Sequence, residues 1–129
     1  MMRTALLSLA TMVLLCVTAF AQDNPIKPGV EPIALRGTLG NDQVQMTLRA
    51  KTDGSGVEGD YFIFGSGGRQ ILLAGEIEEN DMFLEESENG KDVSGHWDGT
   101  ISGDTVSGTW QPVGGSGLKP FTLMLIPAR

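Results

Sequence analysis

Cysteine occurs once in this chain, at Cys16, and histidine once, at His96. A single cysteine excludes an internal disulfide framework, and together with one histidine it cannot supply the usual ligand set of a zinc site. Basic residues are also scarce, 9 Lys and Arg against 16 Asp and Glu, so the chain lacks the positive footprint expected of a nucleic-acid binder or of a protein held on an anionic membrane. Only one long apolar run occurs, from Ala5 to Phe20, and no other stretch has the length and 3.6-residue period of a helix. What the chain has in excess is glycine, 18 residues with no collagen period, interleaved with β-branched and aromatic residues in the manner of an all-β domain.

The apolar run reads as an export signal. Arg3 precedes it and the small-x-small site Ala19-Phe20-Ala21 follows, so cleavage is expected before Gln22, with a periplasmic or secreted product and no membrane attachment afterwards. A lipid anchor at Cys16 is disfavoured because Leu15, not a small residue, stands before it. Removal of residues 1–21 takes away Arg3 alone among the charges and leaves 8 basic against 16 acidic residues, a net charge of −8. Residues 22–32 hold three prolines and no apolar period, which predicts a flexible N-terminal arm. Residues 33–129 are then a single small domain.

Within that domain, period-two alternation recurs between turn signals, giving about eight strands in an antiparallel up-and-down meander. A small closed barrel is the expected architecture, since closure removes exposed edges, with an open curved sheet or sandwich as the alternative. Two-residue turns at Asn41-Asp42, Asn80-Asp81, Asn89-Gly90 and Gly103-Asp104 predict the registers. They place Leu39 opposite Val44, Ile77 opposite Leu84, Leu84 opposite Gly95, and Ile101 opposite Val106. The last of these makes the two copies of a repeat, Val93-Ser94-Gly95-His96-Trp97 and Val106-Ser107-Gly108-Thr109-Trp110, face each other at their tryptophans.

Several segments resemble a family of uncharacterised small secreted or periplasmic bacterial β-barrel domains. They are Gly59-Asp60-Tyr61, Ile71-Leu72-Leu73-Ala74-Gly75, Leu84-Glu85-Glu86, Gly95-His96-Trp97-Asp98-Gly99, Gly108-Thr109-Trp110 and the terminal Pro120-Phe121-Thr122-Leu123. The resemblance implies an exported barrel and brings no activity with it. A more distant similarity to avidin and lipocalin barrels rests on the glycine-x-Trp strands and carries over no ligand-binding residue.

Parity puts Tyr61, Trp97, Trp110 and Phe121 on the apolar face with several glycines, as candidate walls of a site for a small apolar ligand; alternatively the rings fill a core over bare backbone. Glu86 is the one carboxylate of that parity. It is expected either at a solvated rim or buried against the Tyr61 hydroxyl or an indole N–H. Alternation in the third strand is ambiguous, with Tyr61 and Ile63 on one face and Phe62 and Phe64 on the other; if Tyr61 and Ile63 point inward, Phe62, Phe64 and Leu72 fall on the outer face as a candidate surface for a protein partner or a homodimer, unless the arm covers them. His96 shares its outward parity with Ser94 and Asp98, but side chains two apart on a strand lie about 6.5–7 Å apart, too far for a catalytic triad. Calcium is left open at the acidic segment from Glu76 to Asp92, although its residues lack the spacing of an EF-hand loop, and Gly65-Ser66-Gly67-Gly68-Arg69 is followed by no helix that would make it a phosphate loop. No enzyme or cofactor is therefore expected, and no metal ligand is assigned. The functional expectation is a non-enzymatic exported binding module, for a small apolar ligand or a protein, with inhibition of a basic secreted enzyme such as lysozyme as the alternative.

Overall fold

Eight strands form because alternating apolar residues bury one face of each strand and each strand finds a hydrogen-bonding neighbour on both sides. The computed structural model describes residues 26–127; the expected signal segment 1–21 and the lipidation reading at Cys16 lie outside them. The strands are β1 (Ile33–Leu39), β2 (Asp42–Ala50), β3 (Val57–Ile63), β4 (Ile71–Glu78), β5 (Asp81–Ser87), β6 (Gly95–Ser102), β7 (Thr105–Pro112) and β8 (Lys119–Ile126). Each pairs antiparallel with the next, and β1 pairs with β8, Leu35 opposite Leu125 and Leu39 opposite Phe121, so the meander closes into a barrel. No edge strand remains to template aggregation.

The turn at Gly103-Asp104 stands as expected, with Ile101 opposite Val106, Gly99 opposite Gly108 and Trp97 opposite Trp110. The other three hairpins differ from expectation by two residues. β1 and β2 close at Leu39 and Asp42, so Gly40 and Asn41 form the turn, with Gly40 at a φ of 58°. Glu78 pairs with Asp81, placing the turn at Glu79-Asn80 and Glu79 at a φ of 54°. The Asn89-Gly90 signal does not make a tight hairpin. Asn89 instead folds residues 88–94 into a longer loop, its Oδ1 accepting from the Lys91 and Asp92 amides at 2.8 Å each. Leu84 then faces Trp97 rather than Gly95. A shift of two preserves side-chain parity, so the inward residues predicted within the strands stay inward, while Val93, expected opposite Glu86, lies exposed in the loop.

The interior is packed. Leu35, Val44, Met46, Leu48, Met82, Leu84, Trp97, Val106 and Leu123 all have 0% accessible surface. A void large enough for water would leave accessible surface on the side chains lining it. Tyr61 and Phe121 sit edge-on to Trp97 at 5.0 and 4.9 Å, the offset geometry that aromatic rings prefer. Inward glycines make this crowding feasible: a Cβ on Gly108 would lie 1.9 Å from the Asp98 carbonyl oxygen, and one on Gly99 2.8 Å from the Phe121 ring. The glycines thus let strands coil closely and give rings room, the filled-core alternative of the two foreseen.

The barrel has two unlike ends. One carries the arm, residues 51–56 and the tight turns at 79–80 and 103–104; the other carries the turn at 40–41 and the loops 64–70, 88–94 and 113–118. The described part of the arm departs from the expected flexible segment, because Ile26 is fully buried in the core cluster and the Ala50 amide donates to the Gly29 carbonyl at 2.8 Å. Ile26 is the apolar stopper of that end. A single isoleucine among prolines has no periodicity to reveal it.

Candidate functional site

The chemistry of the barrel concentrates at the loop end, on Glu86. β5 carries it there on the inward face, opposite Leu73 of β4 and Gly95 of β6, where the expected register had Gly75 and Val93. It is the one buried charged residue among those described, with 3% of its surface accessible. The rim alternative is therefore excluded, and the burial alternative holds with both of its foreseen partners. Tyr61 Oη donates to Glu86 Oε1 at 2.8 Å, Trp97 Nε1 donates to the same oxygen at 3.0 Å, and Trp110 Nε1 donates to it as well. Ser94 Oγ donates to Oε2 at 3.1 Å.

Three strands and a loop thus deliver four donors to one carboxylate. A buried carboxylate without partners would cost several kcal/mol. Here every donor is neutral, and among the described residues no buried side-chain nitrogen or oxygen lacks a hydrogen bond. The ion pairs of the described residues lie elsewhere, Arg49 with Glu58 and Arg69 with Glu88, both on exposed surface, and His96 Nε2 lies 3.9 Å from Glu85 Oε1. Burial, followed by the neighbouring Glu86 charge and its hydrogen bond, raises the Tyr61 phenol far above its ordinary value, so Tyr61 stays a donor.

Sequence parity assigned Ser94 to the outer face beside His96. The structure corrects this: the Ser94 amide donates to the Glu86 carbonyl at 2.7 Å and its hydroxyl turns to the carboxylate. Ser94 lies just before β6 begins, where strict alternation no longer governs direction. His96 does remain outside, stacked on Phe83 with ring centroids 5.7 Å apart.

Four of the five candidate interior residues, Tyr61, Glu86, Trp97 and Phe121, are buried, while Trp110 is half-buried at the mouth. Trp110 lies flat against Gly95, where a Cβ would come within 2.9 Å of Nε1. Lys119, unnoticed in the sequence, pairs with Trp110 across β7 and β8 and holds its ammonium 5.4 Å from the indole centroid. The outer-face trio is split. Phe62 and Phe64 meet edge to face at 5.0 Å with the Arg36 guanidinium over Phe64, whereas Leu72 lines a groove with Thr47, Arg49, Glu58 and Glu85. Of the described arm, Ile26 and Gly29 are committed to the opposite end, while Pro32 lines the same groove as Leu72.

Exposed apolar side chains gather around the Glu86 end. Phe64, Leu72, Val93, Val113 and Leu118 are on or beside its loops, while only Val30, Phe83 and Met124 lie elsewhere among the exposed large apolar residues. Searches of family models, curated proteins and solved structures found no match to the chain.

Proposed function

We propose that this protein is an exported, non-enzymatic binding module that engages a protein partner through the loop end of its barrel. The observation that carries the proposal is that Phe64, Val93, Val113 and Leu118 stand exposed on three glycine-containing loops at one end of the barrel, above a floor whose polar groups are already satisfied. An exposed apolar cluster with a polar rim is a common mark of a contact surface, and a packed floor holds such loops in place without itself being available for reaction. A small apolar ligand within the barrel would need space that the packed interior does not offer.

The partner best suited to the charge of the chain is a basic secreted protein. A net charge of −8 after cleavage attracts a cationic partner to the molecule at long range and makes association sensitive to salt, while the apolar residues of the loop end supply the contact. Lysozyme is the first probe. Titration calorimetry at low ionic strength is expected to show a saturable complex that weakens in physiological salt and weakens further in Phe64→Ser/Leu118→Ser. No heat of binding at low salt removes lysozyme as a target, and a basic partner that binds the double variant as well as the parent removes the loop end as the contact surface.

A further inference from the structure

The Glu86 group contains an electrostatic asymmetry. Its carboxylate is held by neutral donors alone, while a cation, Lys119, stands over the ring of one of those donors, Trp110. β6 and β8 flank β7 on its two sides. From the β6 side the indole is backed by the bare backbone of Gly95, and from the β8 side the Lys119 ammonium lies 5.4 Å from the indole centroid, within cation–π range. An indole whose N–H donates to a carboxylate is polarised so that its π face becomes more electron-rich, which strengthens attraction for a cation on that face. Lys119 itself is exposed, and among the described residues it makes no ion pair with a carboxylate. Its stem passes beside Gly40, where an added Cβ would lie 3.4 Å from Cδ. It is thus a tethered cation on a flexible arm, resting on an aromatic face at the mouth of the barrel.

We propose that the accessible face of Trp110 is a cation-binding site, occupied at rest by the Lys119 ammonium of the same chain, and that it accepts an alkylammonium or guanidinium group from a partner when Lys119 swings away. The biological use of this site rests on the loop-end reading above, whose partner it equips with an exposed lysine or arginine. The site itself is independent of that reading. Lys119 acts as an internal competitor, so a ligand sees its intrinsic affinity reduced by the fraction of time the face is free.

The test uses tetramethylammonium chloride as the probe and the two indole N–H signals of the folded protein as the NMR readout, with the signal of Trp110 assigned from Trp110→Phe. Lys119→Met keeps the stem and removes the charge. It is expected to bind the probe about fivefold more tightly than the parent, as release from a competitor that occupies the face most of the time would give. The Trp110 signal should move while that of the buried Trp97 moves little, and the neutral isostere tert-butanol and matched sodium chloride should leave both in place. Equal affinity in parent and variant, or an equal response to tert-butanol, overturns the proposal. Cation binding at Trp110 together with partner binding that is unaffected by Trp110→Phe would keep the site and overturn its use by a partner.

Discussion

The two ends of this barrel solve the same problem by opposite chemistry. Each end of a closed sheet leaves a layer of inward side chains that needs a cover. At the arm end the cover is apolar: Ile26 enters from the N-terminal segment and is completely buried against the core. At the loop end it is polar, with Glu86 drawing Tyr61, Trp97, Trp110 and Ser94 together and Lys119 resting over the outermost ring. An isoleucine can be buried without any directional requirement, whereas a carboxylate can be buried only if its lone pairs meet donors in defined positions. The arm end is therefore secured by volume and the loop end by geometry. The surroundings differ too: Asp53, Glu76, Glu78, Glu79, Asp81 and Asp104 ring the arm end, while exposed apolar residues ring the loop end.

This contrast can be broken from either side. The largest effect is expected from alkaline pH, which acts on the loop end through Tyr61. Tyr61 is the only tyrosine, and its ionisation is pushed upward from an ordinary value of 10.0, chiefly by burial and then by Glu86. A raised value in the folded state means that its stabilising contribution is complete below the unfolded value and is lost as pH climbs above it. Phenolate absorbance should thus appear together with loss of near-ultraviolet circular dichroism above pH 10.0. Phenolate appearing in a still-folded protein near the ordinary value would show that the loop end is open to water.

Glu86→Leu follows, with an expected loss of about 4 kcal/mol in urea unfolding, because it strands several buried donors together. Glu86→Gln should lose much less, since the amide oxygen can still accept from Tyr61 and both indoles and the amide nitrogen can donate to Ser94 Oγ. At the arm end, Ile26→Ala should remove about 3 kcal/mol through lost burial and a residual cavity. The two ends should be separable in a double variant: Ile26→Ala and Glu86→Gln share no contacts and are expected to add. A large coupling energy would mean that the ends are not independent covers. The smallest effect belongs to Leu118→Ser, expected to change stability by no more than about 0.5 kcal/mol while weakening partner binding.

Much of the fold was legible from alternation and turns. The β-branched and aromatic runs predict eight strands, and the face assignment of Trp97, Trp110, Phe121 and Glu86 follows from parity, whereas β3 is apolar on both faces and only the structure puts Tyr61 inside. Two registers were displaced because turn composition does not distinguish Gly40-Asn41 from Asn41-Asp42, or Glu79-Asn80 from Asn80-Asp81, and either choice keeps the same faces. The Asn89-Gly90 signal misled for another reason: the side chain of Asn89 organises a longer loop by accepting two backbone amides. Ser94, Lys119 and Ile26 were out of reach of any periodic argument, since each acts at or beyond a strand terminus.

By itself, then, the sequence determined which residues face inward, β3 excepted, and that the sheet is an antiparallel meander, because period two is a local property of the chain and survives a two-residue slip. The hairpin at Gly103-Asp104 even set the facing of Trp97 and Trp110. Only the tertiary structure decided that Glu86 is buried, which donors reach it, which side chain closes each end and that the interior is packed. Those outcomes depend on β3, β5 and β7 converging across the barrel, with Tyr61 and Trp110 lying 25 and 24 positions from the carboxylate they share, and sheet closure rather than any local pattern brings them together.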